Sequence, residues 1–90
     1  MPKWTRKEVD ELPDSSFAFV EPGGRNADGR TIPLSKRHLP YRDADGQVDL
    51  PHLRNALARL PRVRAEGLDA GKQAEIHAHL EKLLREADAG

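Results

Sequence analysis

The sequence predicts a small α+β fold. We expect a short N-terminal helix, two or three short extended or β segments, and two amphipathic helices packed through their leucine faces. Two leucine-rich stretches with helical periodicity occupy the second half of the chain. In the first half, short apolar segments are separated by Gly, Pro, Asn and Asp, which are typical of turns. These two patterns, together with the helix-capping signals described below, favour mixed α and β structure.

The first predicted element is a helix of barely two turns. Thr5 and Glu8 have the capping-box spacing, a hydroxyl at the cap and a carboxylate three residues later, so the helix begins near Arg6. It ends at Leu12-Pro13, because the residue before proline is pushed out of the helical conformation. We expect residues 1–11 to form an N-terminal helical arm and residues 12–90 to form a single small α+β domain.

A short strand is predicted at residues 17–20, Phe-Ala-Phe-Val, with Phe17 and Phe19 on one face. The following residues, 23–29, have almost no apolar content and therefore predict a mobile loop. A later extended segment ends at Leu39-Pro40-Tyr41. We expect it to pair with the strand at 17–20 and to lie at an edge, because proline cannot donate a hydrogen bond to a ladder.

The same turn pattern occurs twice. Residues 25–29 and 42–46 both read Arg-Asx-Ala-Asp-Gly. Asx side chains accept hydrogen bonds from nearby backbone amides, and glycine tolerates a positive φ. We therefore expect a tight turn at each place, and an extended chain at residues 31–34, between the two turns.

The central helix is predicted between Asp49 and Pro61. Asp49 is placed as its N-cap, Pro51 falls in the first turn, and Pro61 ends it. One face carries the leucines that we expect in the core: Leu50, Leu53, Leu57 and Leu60. The opposite face carries His52, Asn55 and Arg59.

The last helix is predicted to begin after Asp69, which is placed as its N-cap. Its apolar residues recur with helical spacing and form one stripe: Ile76, Leu80, Leu83, Leu84 and Ala87. We expect this stripe to pack against the leucine face of the central helix, with the phenylalanine-bearing strand closing one side.

Composition excludes several classes of protein. The 90-residue chain has no cysteine, so it has no disulfide framework and no thiolate metal site, which fits a reducing compartment. No stretch resembles a signal peptide or a membrane span. Lys+Arg and Asp+Glu both number 15, so the chain lacks the strongly basic field typical of nucleic-acid binders. We expect a cytoplasmic protein, more readily monomeric than oligomeric, with no membrane contact.

No metal, cofactor or catalytic site is predicted. Asp43, Asp45 and Gly46 would match three positions of a calcium loop, but Tyr41 and His52 would then occupy its first and last ligand positions. His77 and His79 are two residues apart on a helix, which is the wrong spacing for joint zinc binding. The serines lie in no nucleophile-elbow motif, and Gly23-Gly24 opens no phosphate-binding helix.

Electrostatics provides one candidate interaction site. Between Leu50 and Ala65 there are four arginines and no acid. The residues selected as candidate contacts are His52, Asn55, Arg59, Arg62 and Arg64. Arginine and asparagine can bind base edges or phosphate, so nucleic-acid binding through the outer face of the central helix is one reading. The other is a solvated helix face, since arginine is a good helix former. The connector from Pro61 to Asp69 is too long for a helix-turn-helix.

Three segments of the chain read LPDSSFA (residues 12–18), RHLPYRDADG (37–46) and VDLPHLRNALARL (48–60). Together they resemble a small domain of unknown function found in phage and prophage proteins. Domains of this kind often lie near, or are fused to, capsid-maturation proteases and other head-assembly components. The resemblance implies a non-catalytic accessory module that binds a protein partner. Nucleic-acid binding through the 50–60 helix stays open as the alternative.

Overall fold

The computed structural model describes residues 4–89 and has an α+β architecture. Its helices are α1 (Arg6–Glu11), α2 (Leu50–Arg59) and α3 (Ala70–Ala89). Its strands are β1 (Phe17–Val20), β2 (Arg25–Ala27), β3 (Arg30–Ile32) and β4 (Arg37–Pro40). Single turns of 3-10 helix occur at Asp14–Ser16, Leu34–Lys36 and Leu60–Arg62.

The helix-capping predictions are confirmed. Thr5 and Glu8 form a complete capping box at α1, with each side chain accepting a hydrogen bond from the other residue's backbone N–H at 3.0–3.1 Å. Asp49 caps α2 through the N–H of His52 at 3.2 Å. Asp69 accepts from the N–H of Lys72 at 2.8 Å, where α3 begins. These interactions are local in sequence, which explains why the spacing of residue types was enough to predict them.

The strands form two separate antiparallel pairs. Strand β1 pairs with β4 as predicted, with Phe17 opposite Pro40 and Phe19 opposite His38. The prediction of a loop at 23–29 was wrong for residues 25–27, because β2 lies there and forms a hairpin with β3. Its turn closes as the sequence indicated: Asn26 accepts from the N–H of Gly29 at 3.2 Å, and Gly29 has φ +83°.

One residue of β4 is strained. Leu39 is 9 % exposed and has φ +62°, in the left-handed region that a bulky side chain rarely adopts. Such a backbone costs roughly 1–3 kcal/mol and persists only where the surroundings hold it. Here the leucine side chain belongs to the main hydrophobic core, so its burial offsets part of that cost.

The main core lies between the β1–β4 pair and helices α2 and α3. Its buried members are Phe19, Leu39, Tyr41, Leu53, Ala56, Leu60, Ile76 and Leu80. The predicted leucine face of α2 is only partly buried, since Leu50 and Leu57 are half-buried at the edge of this core. The prediction for α3 needs one correction: Ala87 is exposed.

The N-terminal helix is fastened by a buried arginine. The guanidinium of Arg37, in β4, donates to the carbonyl oxygens of Val9 at 3.2 Å, Asp10 at 3.1 Å and Leu12. The last carbonyls of a helix lack partners within the helix and favour a nearby cation. Helix α1 has no basic residue of its own in its last turn, so Arg37 supplies one from a distant strand.

Asp14 joins the same arginine to the β2–β3 hairpin. Its carboxylate lies 3.7 Å from the Arg37 guanidinium and accepts hydrogen bonds from the N–H, at 2.7 Å, and the hydroxyl of Thr31 in β3. Its own N–H donates to the carbonyl of Gly29 at 2.8 Å. The ring of Phe17 lies 4.3 Å from the guanidinium carbon, so the cation is also covered by an aromatic face. Burial lowers the pKa of Arg37, but guanidinium stays charged at physiological pH.

Leucine truncations test the extent of the core. Leu53→Ala should destabilise the fold by about 2–5 kcal/mol, because its fully buried side chain leaves a cavity. Leu57→Ala should cost less, about 1–2 kcal/mol, because that side chain is already half-exposed. Urea unfolding measures both, and equal losses would contradict this placement of the core edge.

A second prediction concerns pH. The hydrogen bond from His38, at 2.6 Å, lowers the pKa of Glu21 below its ordinary value of 4.5. A carboxyl with a lowered folded-state pKa stabilises the fold above its ordinary pKa, and this contribution is lost as the pH falls through the folded-state value. Glu21→Gln should therefore lower the thermal midpoint at about pH 6 and have little effect at about pH 3. The exposed Glu75→Gln is the control, and an equal deficit at both pH values would refute the assignment.

Candidate interaction surface

Four of the five predicted contact residues are exposed and lie near one another in the chain, and we call them the basic surface: Asn55, Arg59, Arg62 and Arg64. Asn55 and Arg59 lie on α2, and Arg62 and Arg64 lie on and just after the 3-10 turn that follows it. The buried side chains of Leu53 and Leu60 hold these elements against the core. The side chains of the basic surface therefore extend from elements that pack on the core.

The arginines of this surface are weakly engaged. Within residues 4–89, no carboxylate lies within 4 Å of Arg59, Arg62 or Arg64, whereas Arg54 on the same helix is 3.7 Å from Asp88. Arg64 donates only two long hydrogen bonds, at 3.4 Å, to the carbonyl oxygens of Pro61 and Val63. A chain with equal numbers of acids and bases thus leaves three neighbouring cations exposed to solvent.

The fifth predicted residue, His52, is placed differently. Its ring is stacked on Trp4, with ring centroids 3.5 Å apart and planes 8° from parallel. Its Nδ1 contacts the Asp49 carboxylate, and the side chain is 17 % exposed. The prediction that His52 shares an open outer face with Asn55 and Arg59 therefore needs correction, because the N-terminal segment covers it.

An open cleft of about 380 Å³ lies between the Leu60–Arg62 turn and the first half of α3. It is lined by Leu60, Pro61, Ala70, Gln73, Ala74 and His77. Gln73 donates its side-chain amide to the carbonyl of Leu60 at 2.7 Å, which fixes the turn against the helix. Sequence reasoning missed this cleft; the small residues Ala70 and Ala74, one turn apart beside the leucine stripe, were the available signal.

A second cleft, of about 290 Å³, has an acidic lining beside the N-terminal helix. Its lining residues are Trp4, Glu8, Glu11, Leu12, Asp43, Ala44 and Asp45. Two of its carboxylates already have structural partners. Asp43 accepts from the N–H groups of Asp45 and Gln47, at 2.9 and 3.0 Å. Glu8 completes the capping box, and the hydrogen bond from the Thr5 backbone lowers its pKa.

The residues considered for metal binding and catalysis lie apart or have other partners. Within residues 4–89, no three His, Cys, Asp or Glu side chains are grouped so as to hold a metal ion. Ser16 is buried and donates to the carbonyl of Asp43 at 3.3 Å, whereas His38 pairs with Glu21. His77 and His79 have different neighbours, Glu81 and Tyr41 respectively.

Comparisons of the chain with protein-family models, with curated proteins and with solved structures found no match. Among the helices in the described part of the chain, none has both the length and the apolar character needed to cross a membrane.

Proposed function

We propose that the chain is a non-catalytic accessory module that binds a protein partner through the basic surface. One observation carries the proposal: Arg59, Arg62 and Arg64 are exposed, close together in the chain, and without a carboxylate within 4 Å among the described residues. Arginine is enriched at protein interfaces, where its planar guanidinium binds carboxylates in a defined geometry. Because Leu53 and Leu60 pack these elements on the core, less backbone freedom remains to be lost on binding.

The first partners to test are head-assembly proteins of phage or prophage origin. Their choice depends on the resemblance carried by residues 12–18, 37–46 and 48–60. We also propose that the module acts in the cytoplasm and as a monomer.

Nucleic-acid binding is the second candidate function. The exposed positions of Asn55 and Arg59 on one helix favour it, since these side chains can reach base edges and phosphates. The zero formal net charge of the chain disfavours it. Binding of this kind would weaken steeply as salt concentration rises, because bound arginines release counterions from the nucleic acid.

Charge reversal should separate these candidates. A variant with Arg59→Glu, Arg62→Glu and Arg64→Glu should lose a protein partner that the wild type captures from host lysate. With the purified partner, its affinity by calorimetry should fall by about tenfold or more, since like charges would then face each other. Fluorescence anisotropy with labelled duplex DNA at low salt tests the alternative.

The matched control reverses three exposed arginines outside the basic surface, Arg6, Arg25 and Arg85, and so has the same net charge. Circular dichroism should show that both variants are folded. If both variants bind the partner equally, the basic surface is not the contact. Salt-sensitive DNA binding that the triple variant loses and the control retains would instead establish the second candidate.

A further inference from the structure

The cleft between the Leu60–Arg62 turn and α3 is open to solvent, and four of its six lining residues are apolar. Its floor is the buried side chain of Leu60, and exposed Pro61, Ala70 and Ala74 form its walls. At about 380 Å³, it is near the lower end of the volumes of small-ligand sites, roughly 300 Å³. A cleft of this volume can enclose one large apolar side chain, which a flat surface cannot do.

Two polar side chains line the cleft, and both already have partners. The side-chain amide of Gln73 donates to the carbonyl of Leu60, so it contributes little to recognition. His77 has Nδ1 at 3.4 Å from the carboxylate of Glu81. The charge of the occupant is therefore set by the groups at the edge of the cleft.

A cation lies at the edge of the same cleft. The guanidinium of Arg64 is 3.4 Å from the carbonyl oxygen of Pro61, a wall residue, and Arg62 follows Pro61 in the same turn. The carboxylates beside the cleft are engaged or turned away. Asp69 caps α3, Glu81 contacts His77, and helical geometry places Glu75 on the side of α3 opposite the cleft wall.

We propose that this cleft is the anchor pocket for an acidic segment of the protein partner. One leucine-sized side chain of that segment enters the space between Pro61 and Ala74, and flanking carboxylates meet Arg62 and Arg64. The proposal rests on the proposed function and specifies the chemistry of the partner. It places the basic surface at the rim of the interface and the apolar cleft at its centre, the arrangement found in stable interfaces.

Defined peptides test this assignment. The probe is a fluorescein-labelled 14-residue peptide rich in Glu, with a single Leu at its centre. The second peptide replaces that Leu with Ala, and the third replaces every Glu with Lys. Fluorescence anisotropy should show binding of the first peptide, at least about fivefold weaker binding of the second, and no binding of the third.

Two variants of the chain provide a matched pair. Ala74→Arg should fill the cleft and lower the affinity for the first peptide by about tenfold or more. Ala78→Arg should change that affinity by less than about twofold. Both alanines are exposed on α3, one turn apart, but only Ala74 lines the cleft. Arg64→Glu should also weaken binding, and Arg25→Glu is its control for net charge.

Several outcomes would overturn the proposal. The anchor pocket is refuted if the wild-type protein does not bind the acidic peptide, or if it binds the Leu and Ala peptides with equal affinity. Equal losses in Ala74→Arg and Ala78→Arg would place the contact elsewhere on α3. Sedimentation showing a wild-type dimer that Ala74→Arg dissociates would assign the cleft to a second copy of the chain.

The protein-binding proposal can survive these failures. A purified partner that binds through Arg59, Arg62 and Arg64, but is unaffected by Ala74→Arg, would keep the proposed function and refute the anchor pocket alone. A partner whose affinity falls with the triple charge reversal and with Ala74→Arg would support both.

Discussion

The buried guanidinium of Arg37 connects three parts of this fold. It donates to carbonyls at the end of α1, pairs with Asp14 and lies against Phe17 of β1. Removing one partner of a buried ion pair typically costs 3–5 kcal/mol, which is a large fraction of the stability of about 5–15 kcal/mol that small domains have. A six-residue helix is marginal alone, so α1 needs contacts of this kind. The β2–β3 hairpin is joined to Arg37 through Asp14, which accepts hydrogen bonds from Thr31.

The same contact shapes the candidate sites indirectly. By holding α1 in place, Arg37 keeps Trp4 stacked on His52, and Trp4 thereby covers one side of α2. The exposed polar side chains of α2 are Arg54, Asn55 and Arg59. The cleft beside Pro61 is independent of α1, because its walls come from the Leu60–Arg62 turn and α3. The binding surface we propose is therefore built on the helical half of the molecule.

Sequence patterns predicted the parts of the fold that depend on near neighbours. The caps at Thr5, Asp49 and Asp69 are of this kind. The pairing of β1 with β4 joins segments that are distant in sequence, and the short apolar strand and the position of Pro40 predicted it. The β2–β3 hairpin was missed because it has little apolar content, and its anchor is Asp14, 17 residues before Thr31.

For the candidate site, helical periodicity correctly placed Asn55 and Arg59 in solvent but could not show that Trp4 covers His52. The cleft combines residues from two elements, so the periodicity of a single helix could not predict it. A buried arginine has no signature in sequence either, since charged side chains are ordinarily exposed.

Amide hydrogen exchange in Arg37→Lys tests the role of Arg37 most directly, because lysine keeps the charge but lacks the planar fork that reaches several carbonyls. Protection of the N–H groups of Val9 and Leu12, both hydrogen-bonded in α1, should fall by about tenfold or more relative to the wild type. Protection at Leu53 and Leu80 should fall much less, and Arg25→Lys should change neither. Unchanged protection across α1 in Arg37→Lys would contradict the account.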